Sequence, residues 1–206
     1  MALEFVLATH NQHKVQEFQS ILAEVLPDAR VHAYDGPEPV EDGVSFAANA
    51  LIKARTAAAH TGLIALADDS GISVDVMGGA PGIFSARWAG GHGDSVANTR
   101  LLLEQLADMR DPNRAAAFHC AIALVIPDAA ATASVASFEH VASGVWPGKL
   151  ALEVSGTHGF GYDPIFVPEG YEVTAAELAP EVKNALSHRA RAVEALLPVL
   201  LNAVGK

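Results

Sequence analysis

Apolar residues recur along this chain with two periods, and the switches between them mark out its elements. Leu3–Ala8 is a short apolar run ending in polar residues, as in a buried strand. Val15, Phe18, Ile21, Leu22, Val25 and Leu26 then recur at helical spacing, which predicts an amphipathic helix from about Asn11. Arg30–Tyr34 reads as a second strand, and Asp35–Asp42, with Pro37 and Pro39, as a loop. Ser45 caps a second helix carrying Phe46, Ala50, Leu51, Ala54 and Ala57 on one face, and Gly62 ends it. Ile64–Ala67 and Ile72–Met77 read as strands flanking a turn at Asp68-Asp69-Ser70-Gly71. Gly78–Gly82 is too rich in Gly and Pro for a regular element.

A third helix starts at Asp94 or Ser95, with Val96, Thr99, Leu102, Leu103 and Leu106 on one side. Ala116–Ile126 and Ala133–Val145 read as long strands joined at Pro127-Asp128. Gly156–Pro164 is a glycine-rich loop leading into a strand at Ile165–Val167. A last helix runs from about Lys183–Ala185 to Ala203, with Pro198 as a possible bend. This order predicts an α/β fold: a mixed twisted sheet with flanking helices, one domain over residues 1–206, shaped as two lobes around a central cleft.

Half of the 206 residues are apolar, enough for a sizeable core. A formal net charge of -11 disfavours a general nucleic-acid or anionic-membrane surface, while leaving room for a local pocket of cations. The single Cys120 sits in an apolar run and reads as a small buried hydrophobe. Neither a signal-like N-terminus nor a long charge-free apolar stretch is present, so a soluble cytoplasmic protein is expected.

Candidate chemistry gathers at the junctions. Thr9-His10-Asn11-Gln12-His13-Lys14 lies where the first strand gives way to a helix, whose unpaired N–H groups and dipole favour a phosphate. The alternative is that Thr9 or Asn11 merely caps that helix and Lys14 is solvated. Asp68 and Asp69 are expected to face opposite ways, so one of them enters a given site. Hard oxygen ligands at a strand end suit Mg²⁺, and Glu41 offers a second such carboxylate. Asn49 and Lys53 share one helix face at i, i+4, with Lys53 either buried or an ordinary solvated lysine. Gly159–Pro164 frees Phe160 and Tyr162 to stack on a base beside the acceptor Asp163, unless both aromatics pack in the core. Lys183, His188 and Arg189 add donors near the last helix.

Taken in order, T-x-N-x-x-K, the Glu41–Ala54 block E-x-G-x-S-F-x-x-N-A-x-x-K-A, D-D-S-G, G-G-A-P-G-I-F-S-A-R, G-F-G-Y-D-P-I-F and S-H-R resemble the inosine/xanthosine triphosphate pyrophosphatase family, from residue 9 to residue 189. The resemblance implies a nucleotide-binding cleft and a Mg²⁺-dependent homodimer that hydrolyses non-standard purine nucleoside triphosphates to monophosphate and pyrophosphate. It assigns Thr9, His10, Asn11, Gln12, His13, Lys14 and Lys53 to the phosphates, and Asp69 to catalysis and, with Glu41, to metal. Ser70, Phe160, Gly161, Tyr162, Asp163, Lys183, His188 and Arg189 fall to the rest of the substrate site. His10 stands where glycine is frequent in the family, and Ala48 where glutamate is common.

Two other readings compete: a pyrophosphatase acting on modified pyrimidine nucleotides, and a nucleotide sensor without turnover. A Ser70–His188 hydrolase ranks below both, since nothing around Ser70 resembles a nucleophile elbow.

Overall fold

The structure, a computed structural model, describes residues 3–128 and 136–205. Its strands are β1 (Glu4–Leu7), β2 (Arg30–Ala33), β3 (Ile64–Val74), β4 (Ala115–Pro127), β5 (Ala136–Leu150) and β6 (Phe166–Pro168). Its helices are α1 (Gln12–Val25), α2 (Phe46–Thr61), α3 (Ser95–Gln105), α4 (Pro180–Leu186) and α5 (His188–Ala203). The strands form one six-stranded sheet in the order β2-β1-β3-β4-β5-β6. β1 pairs in parallel with β2 and β3, and β5 pairs antiparallel with β6, so the sheet is mixed. The expected start of the fifth strand at Ala133 lies outside the described residues.

Contacts divide the chain into two compact units. The first comprises Met1–Asp69, Ala121–Ala142 and Ala195–Lys206; the second comprises Ser70–Cys120 and Ser143–Glu194. In the first, Ala50, Ala54, Ala57 and Ala58 of α2 are buried with Ala65 and Ala67 of β3 and Ala121 and Ala123 of β4. Small side chains on both surfaces let the helix approach the strands closely, which fixes where its polar residues can reach. In the second, Ile72, Leu102, Leu106, Phe118, Trp146, Tyr162 and Phe166 form the core.

Three expectations are corrected. Asp68–Gly71 is no turn: β3 runs unbroken from Ile64 to Val74, and a 3-10 turn follows at Asp75–Met77. β3 lies between β1, which pairs with Ile64–Leu66, and β4, and its place in the sheet overrides the local turn preference of Asp, Ser and Gly. The C-terminal helix is two helices, because Ser187 is extended and its hydroxyl accepts from Ala190 N–H at 3.2 Å, capping α5 afresh. Val96 is exposed, and α3 instead buries Asn98, Thr99 and Leu102. Asn98 tolerates burial because its amide accepts from Ala89 N–H at 2.7 Å and donates to Ala86 C=O at 3.2 Å.

Candidate active site

The phosphate-loop candidates lie between β1 and α1. Asn11 N–H donates to Thr9 Oγ1 at 3.2 Å, and Lys14 N–H to Asn11 Oδ1 at 3.4 Å, so both side chains serve the helix start. His10 and Gln12 are exposed, and His10 Nε2 lies 3.3 Å from Glu38 Oε1. His13 is on α1, with its side chain outside the described part of the structure. Lys14 turns its ammonium onto both oxygens of Asp68, at 2.9 and 3.0 Å.

The consecutive aspartates of β3 thus take different lysines. Asp68, with a side chain only 4 % exposed, pairs with Lys14 of α1. Asp69 pairs with Lys53 of α2, Nζ to Oδ1 at 3.1 Å. The period of two in a strand sends neighbouring side chains to opposite faces, so one carboxylate belongs to each helix. Lys53 Nζ also lies 3.3 Å from Glu41 Oε1 in the loop before α2, and both flanking carboxylates belong to the first unit.

Asn49, one turn before Lys53, is 1 % exposed and donates from Nδ2 to Asp69 Oδ2 at 3.3 Å. Its Oδ1 accepts the Gly43 N–H at 2.9 Å. A Cβ on Gly43 would stand 2.5 Å from that Oδ1, so only glycine lets the loop come this close. Sequence reasoning noted Asn49 as a neighbour of Lys53 and gave it no role in the site. The signal was an amide on the alanine-rich, core-facing side of α2, a position that burial forbids unless the amide is bonded.

Burial pushes the Asp69 carboxyl above its ordinary value, with Glu41 adding in the same direction and Lys53 and Asn49 opposing. Burial also acts to lower the Lys53 ammonium, but Asp69, Glu41 and Asp68 together outweigh it and the net shift is upward. Lys53 is therefore charged at neutral pH. Lys14 and Lys53 between them pair with three carboxylates, Asp68, Asp69 and Glu41. Among the described residues, no group of three or more His, Cys, Asp or Glu side chains converges as a metal cage. Glu41 and Asp69 are the carboxylates here that could hold a hard cation such as Mg²⁺.

The second group lies in the second unit. Asp163 is 3 % exposed; its Oδ2 accepts Phe160 N–H at 2.7 Å and also bonds Lys183 Nζ. Lys183 Nζ stands 5.3 Å from the centroid of the Phe160 ring, itself 70 % exposed. Gly159 has φ +79°, and a Cβ there would meet Asp163 Oδ2 at 2.2 Å, so the loop requires glycine twice over.

The structure separates the two aromatics of this loop. Tyr162 is core: its ring is buried and its hydroxyl donates to Ser85 C=O at 2.8 Å, with burial pushing its pKa upward. Only Phe160 presents a ring face. Gly161 accepts from the Thr99 hydroxyl at 3.1 Å, a contact no motif announced. Ser70 Oγ is buried with no hydrogen-bond partner among the described residues. His188 stacks on Phe118 with centroids 4.9 Å apart and an interplanar angle of 12°, and the half-buried Arg189 follows it in the first turn of α5.

No helix among the described residues is long and apolar enough to cross a membrane. The Ham1 family model matches residues 5–199. A dITP/XTP pyrophosphatase of Leifsonia xyli subsp. xyli is 63% identical over 195 residues, covering 95% of this chain and 94% of that protein. One from Streptomyces coelicolor is 51% identical, covering 97% and 98%. Among solved structures, a HAM1 protein from Coxiella burnetii superposes with a TM-score of 0.86 at 41% identity, covering 97% of this chain and 99% of that one. A nucleoside-triphosphatase, dITP/XTP pyrophosphatase, from Mycobacterium abscessus gives 0.80 at 46% identity, covering 95% and 100%. The likeness read from the ordered motifs thus extends over both sequence and fold, and this chain belongs to the Ham1 family.

Proposed function

We propose that this chain hydrolyses non-standard purine nucleoside triphosphates, dITP, ITP and XTP, to the monophosphate and pyrophosphate, removing them from the nucleotide pool. The observation that carries the reading is the arrangement around Lys53, whose ammonium is shared by Glu41 and Asp69. The relatives named as dITP/XTP pyrophosphatases support it.

In this mechanism Lys14, Lys53 and the start of α1 hold the triphosphate tail. Glu41 and Asp69 would hold Mg²⁺, which when bound supplies charge neutralisation at the phosphate oxygens. Asp69 accepts the proton of a water whose oxygen bonds to the α-phosphorus, while the bond from that phosphorus to the bridging oxygen breaks and pyrophosphate leaves. Burial holds the Asp69 carboxyl above its ordinary value, and a bound cation would act in the opposite direction.

Phe160 offers its face to the base, and Lys183 and Asp163 read its edge. An ammonium has three donors, and Asp163 occupies one, leaving Lys183 able to donate to O6 of hypoxanthine or xanthine. Adenine presents an amino donor there and leaves the lysine unpaired. The family resemblance assigns Thr9, His10, Asn11, Gln12 and His13 to the tail, and Ser70, Gly161, Tyr162, His188 and Arg189 to the remainder of the substrate. The homodimer and the cytoplasmic setting suited to a free-nucleotide substrate belong to the same proposal.

The test is turnover of ITP, XTP, GTP and ATP, with and without Mg²⁺, and identification of products. Monophosphate and pyrophosphate from ITP and XTP support the reading. Release of orthophosphate, or equal turnover of ATP, overturns it.

A further inference from the structure

Asn49 links both proposed metal-side acids, and none of the chemistry above assigns it a task. Its side chain is 1 % exposed, so neither end of the amide has water to fall back on. Through Oδ1 it holds the Gly43 N–H at 2.9 Å, which anchors the loop two residues beyond Glu41. Through Nδ2 it holds Asp69 Oδ2 at 3.3 Å, while Lys53 holds Oδ1 of the same carboxylate at 3.1 Å. The two donors come from successive turns of α2, so the Asp69 carboxylate is gripped at both oxygens by one rigid helix.

The amide cannot reverse without loss. A flip would turn an N–H toward the Gly43 N–H and an oxygen toward the carboxylate, opposing donor to donor and acceptor to acceptor. The Gly43 contact therefore dictates which end of the amide faces Asp69. Gly43 leaves no slack, since a Cβ there would meet Asn49 Oδ1 at 2.5 Å and Ala48 Cβ at 2.8 Å.

We infer that Asn49 is a positioning residue that locks the Glu41–Gly43 loop and the Asp69 carboxylate into one unit, setting the carboxylate plane for cation binding and for proton transfer. It touches neither substrate nor metal in this scheme. The inference rests on the reading of Asp69 as the proton-accepting, cation-binding carboxylate. Partners of this kind that orient metal-binding carboxylates typically change metal affinity or activity by about 10–100-fold when lost.

Two substitutions separate its arms. Asn49→Leu removes both while keeping a similar buried volume. Asn49→Asp keeps an acceptor for Gly43 N–H and replaces the donor to Asp69 with an oxygen. Three readouts apply to each: kcat for ITP at saturating Mg²⁺, affinity for Mn²⁺ titrated alone and followed by electron paramagnetic resonance, and IMP binding in EDTA. Asn49→Leu is expected to weaken Mn²⁺ about 10-fold and lower kcat about 10–100-fold, with IMP affinity unchanged. Asn49→Asp is expected to lower kcat as much, although its loop anchor survives.

Parental kcat in Asn49→Asp would show that the amide only anchors the loop, and would overturn the inference. So would loss of IMP affinity together with kcat in Asn49→Leu, the mark of general unfolding. Asp69→Asn, measured alongside, isolates the underlying reading. If it retains Mn²⁺ affinity and turnover, the assignment of Asp69 fails; if it loses them while the Asn49 variants do not, only the role of Asn49 fails.

Discussion

Lys183 places its ammonium 5.3 Å from the centroid of the Phe160 ring while bonding the Asp163 carboxylate behind it. The ring proposed as a stacking platform and the lysine proposed as a reader of the base edge are therefore in contact. A cation over a ring face is attracted to it, by about 0.5–1 kcal/mol where exposed, and holds it in orientation. Residue types alone imply that affinity and selectivity divide cleanly between these two side chains. The geometry couples them.

Lys183→Met should accordingly do two things: reduce the preference for ITP over ATP, and weaken binding of every purine by releasing the ring. Stacking contributes roughly 1–3 kcal/mol per base, so Phe160→Ala should lower affinity for ITP and ATP alike by about 5–100-fold. Steady-state kcat/KM for both nucleotides decides between coupling and independence. A Lys183→Met enzyme with altered selectivity but unchanged IMP affinity would show that the ring does not depend on the lysine.

Lys14 has a structural partner, and its loss should be felt in stability as well as in binding. The Asp68 side chain is 4 % exposed and Lys14 bonds both its oxygens, so Lys14→Ala removes the ammonium that these two bonds come from. Losing a charged hydrogen-bond partner of a buried carboxylate costs about 1.5–3 kcal/mol. Adding Asp68→Asn should restore most of that stability, because the charge is gone, yet leave triphosphate binding weak. Urea denaturation and ITP affinity of the single and double variants measure the two effects separately. Recovery of ITP affinity in the double variant would remove Lys14 from the phosphate site.

His119 on β4 gives the fold an acid-sensitive component. Burial lowers its pKa from the ordinary 6.5, with Asp75 opposing weakly. The unfolded chain then binds this proton more readily than the folded one. Stability is retained above the ordinary imidazole range, falls as pH drops from about 6.5 through the lowered folded value, and levels off below it. His119→Gln should flatten this part of the profile, read as the change in denaturation midpoint between pH 8 and pH 5 relative to the parent. An identical slope in both proteins would mean that His119 titrates alike in the two states.

Much of this was legible in the chain. Helical spacing located α1 and α2, and Ser45 and Gly62 marked the ends of α2, where Ser45 Oγ accepts from Ala48 N–H and Gly62 adopts the left-handed cap. Alternation along a strand separated Asp68 from Asp69 before any lysine was seen to do so. What stayed hidden depended on partners distant in sequence. Asp68–Gly71 has the composition of a turn, and only neighbouring strands make it part of β3. Tyr162 and Phe160 are equivalent in the motif, and it takes the Ser85 carbonyl, 77 residues away, to claim one ring for the core. The break between α4 and α5 turns on a single hydroxyl, at Ser187, which the continuous apolar pattern concealed.

Asp69→Asn and Glu41→Gln remove one charge each from the same lysine, and they should not behave alike. Glu41 is 35 % exposed, and its closest cation is Lys53 at 3.3 Å, so water can replace much of what it supplies. Asp69 is held at both oxygens. An amide at position 69 must aim its oxygen at the Lys53 ammonium, which turns its NH₂ toward the Asn49 NH₂. Asn49 cannot reverse to accept it, because its own oxygen is engaged by Gly43 N–H. The substitution thus removes the proton acceptor and opposes two donors in a buried place. Loss of a general base alone typically lowers rates by about 10²–10⁴-fold. Asp69→Asn should fall in or below that range in kcat, at every Mg²⁺ concentration. Glu41→Gln should mainly raise the Mg²⁺ concentration needed for half-maximal rate, and approach parental kcat when Mg²⁺ is abundant. The measurement is kcat for ITP as a function of Mg²⁺ in the two variants. If excess Mg²⁺ rescued Asp69→Asn as fully as Glu41→Gln, the two acids would have equivalent tasks and the proton-accepting role of Asp69 would be lost.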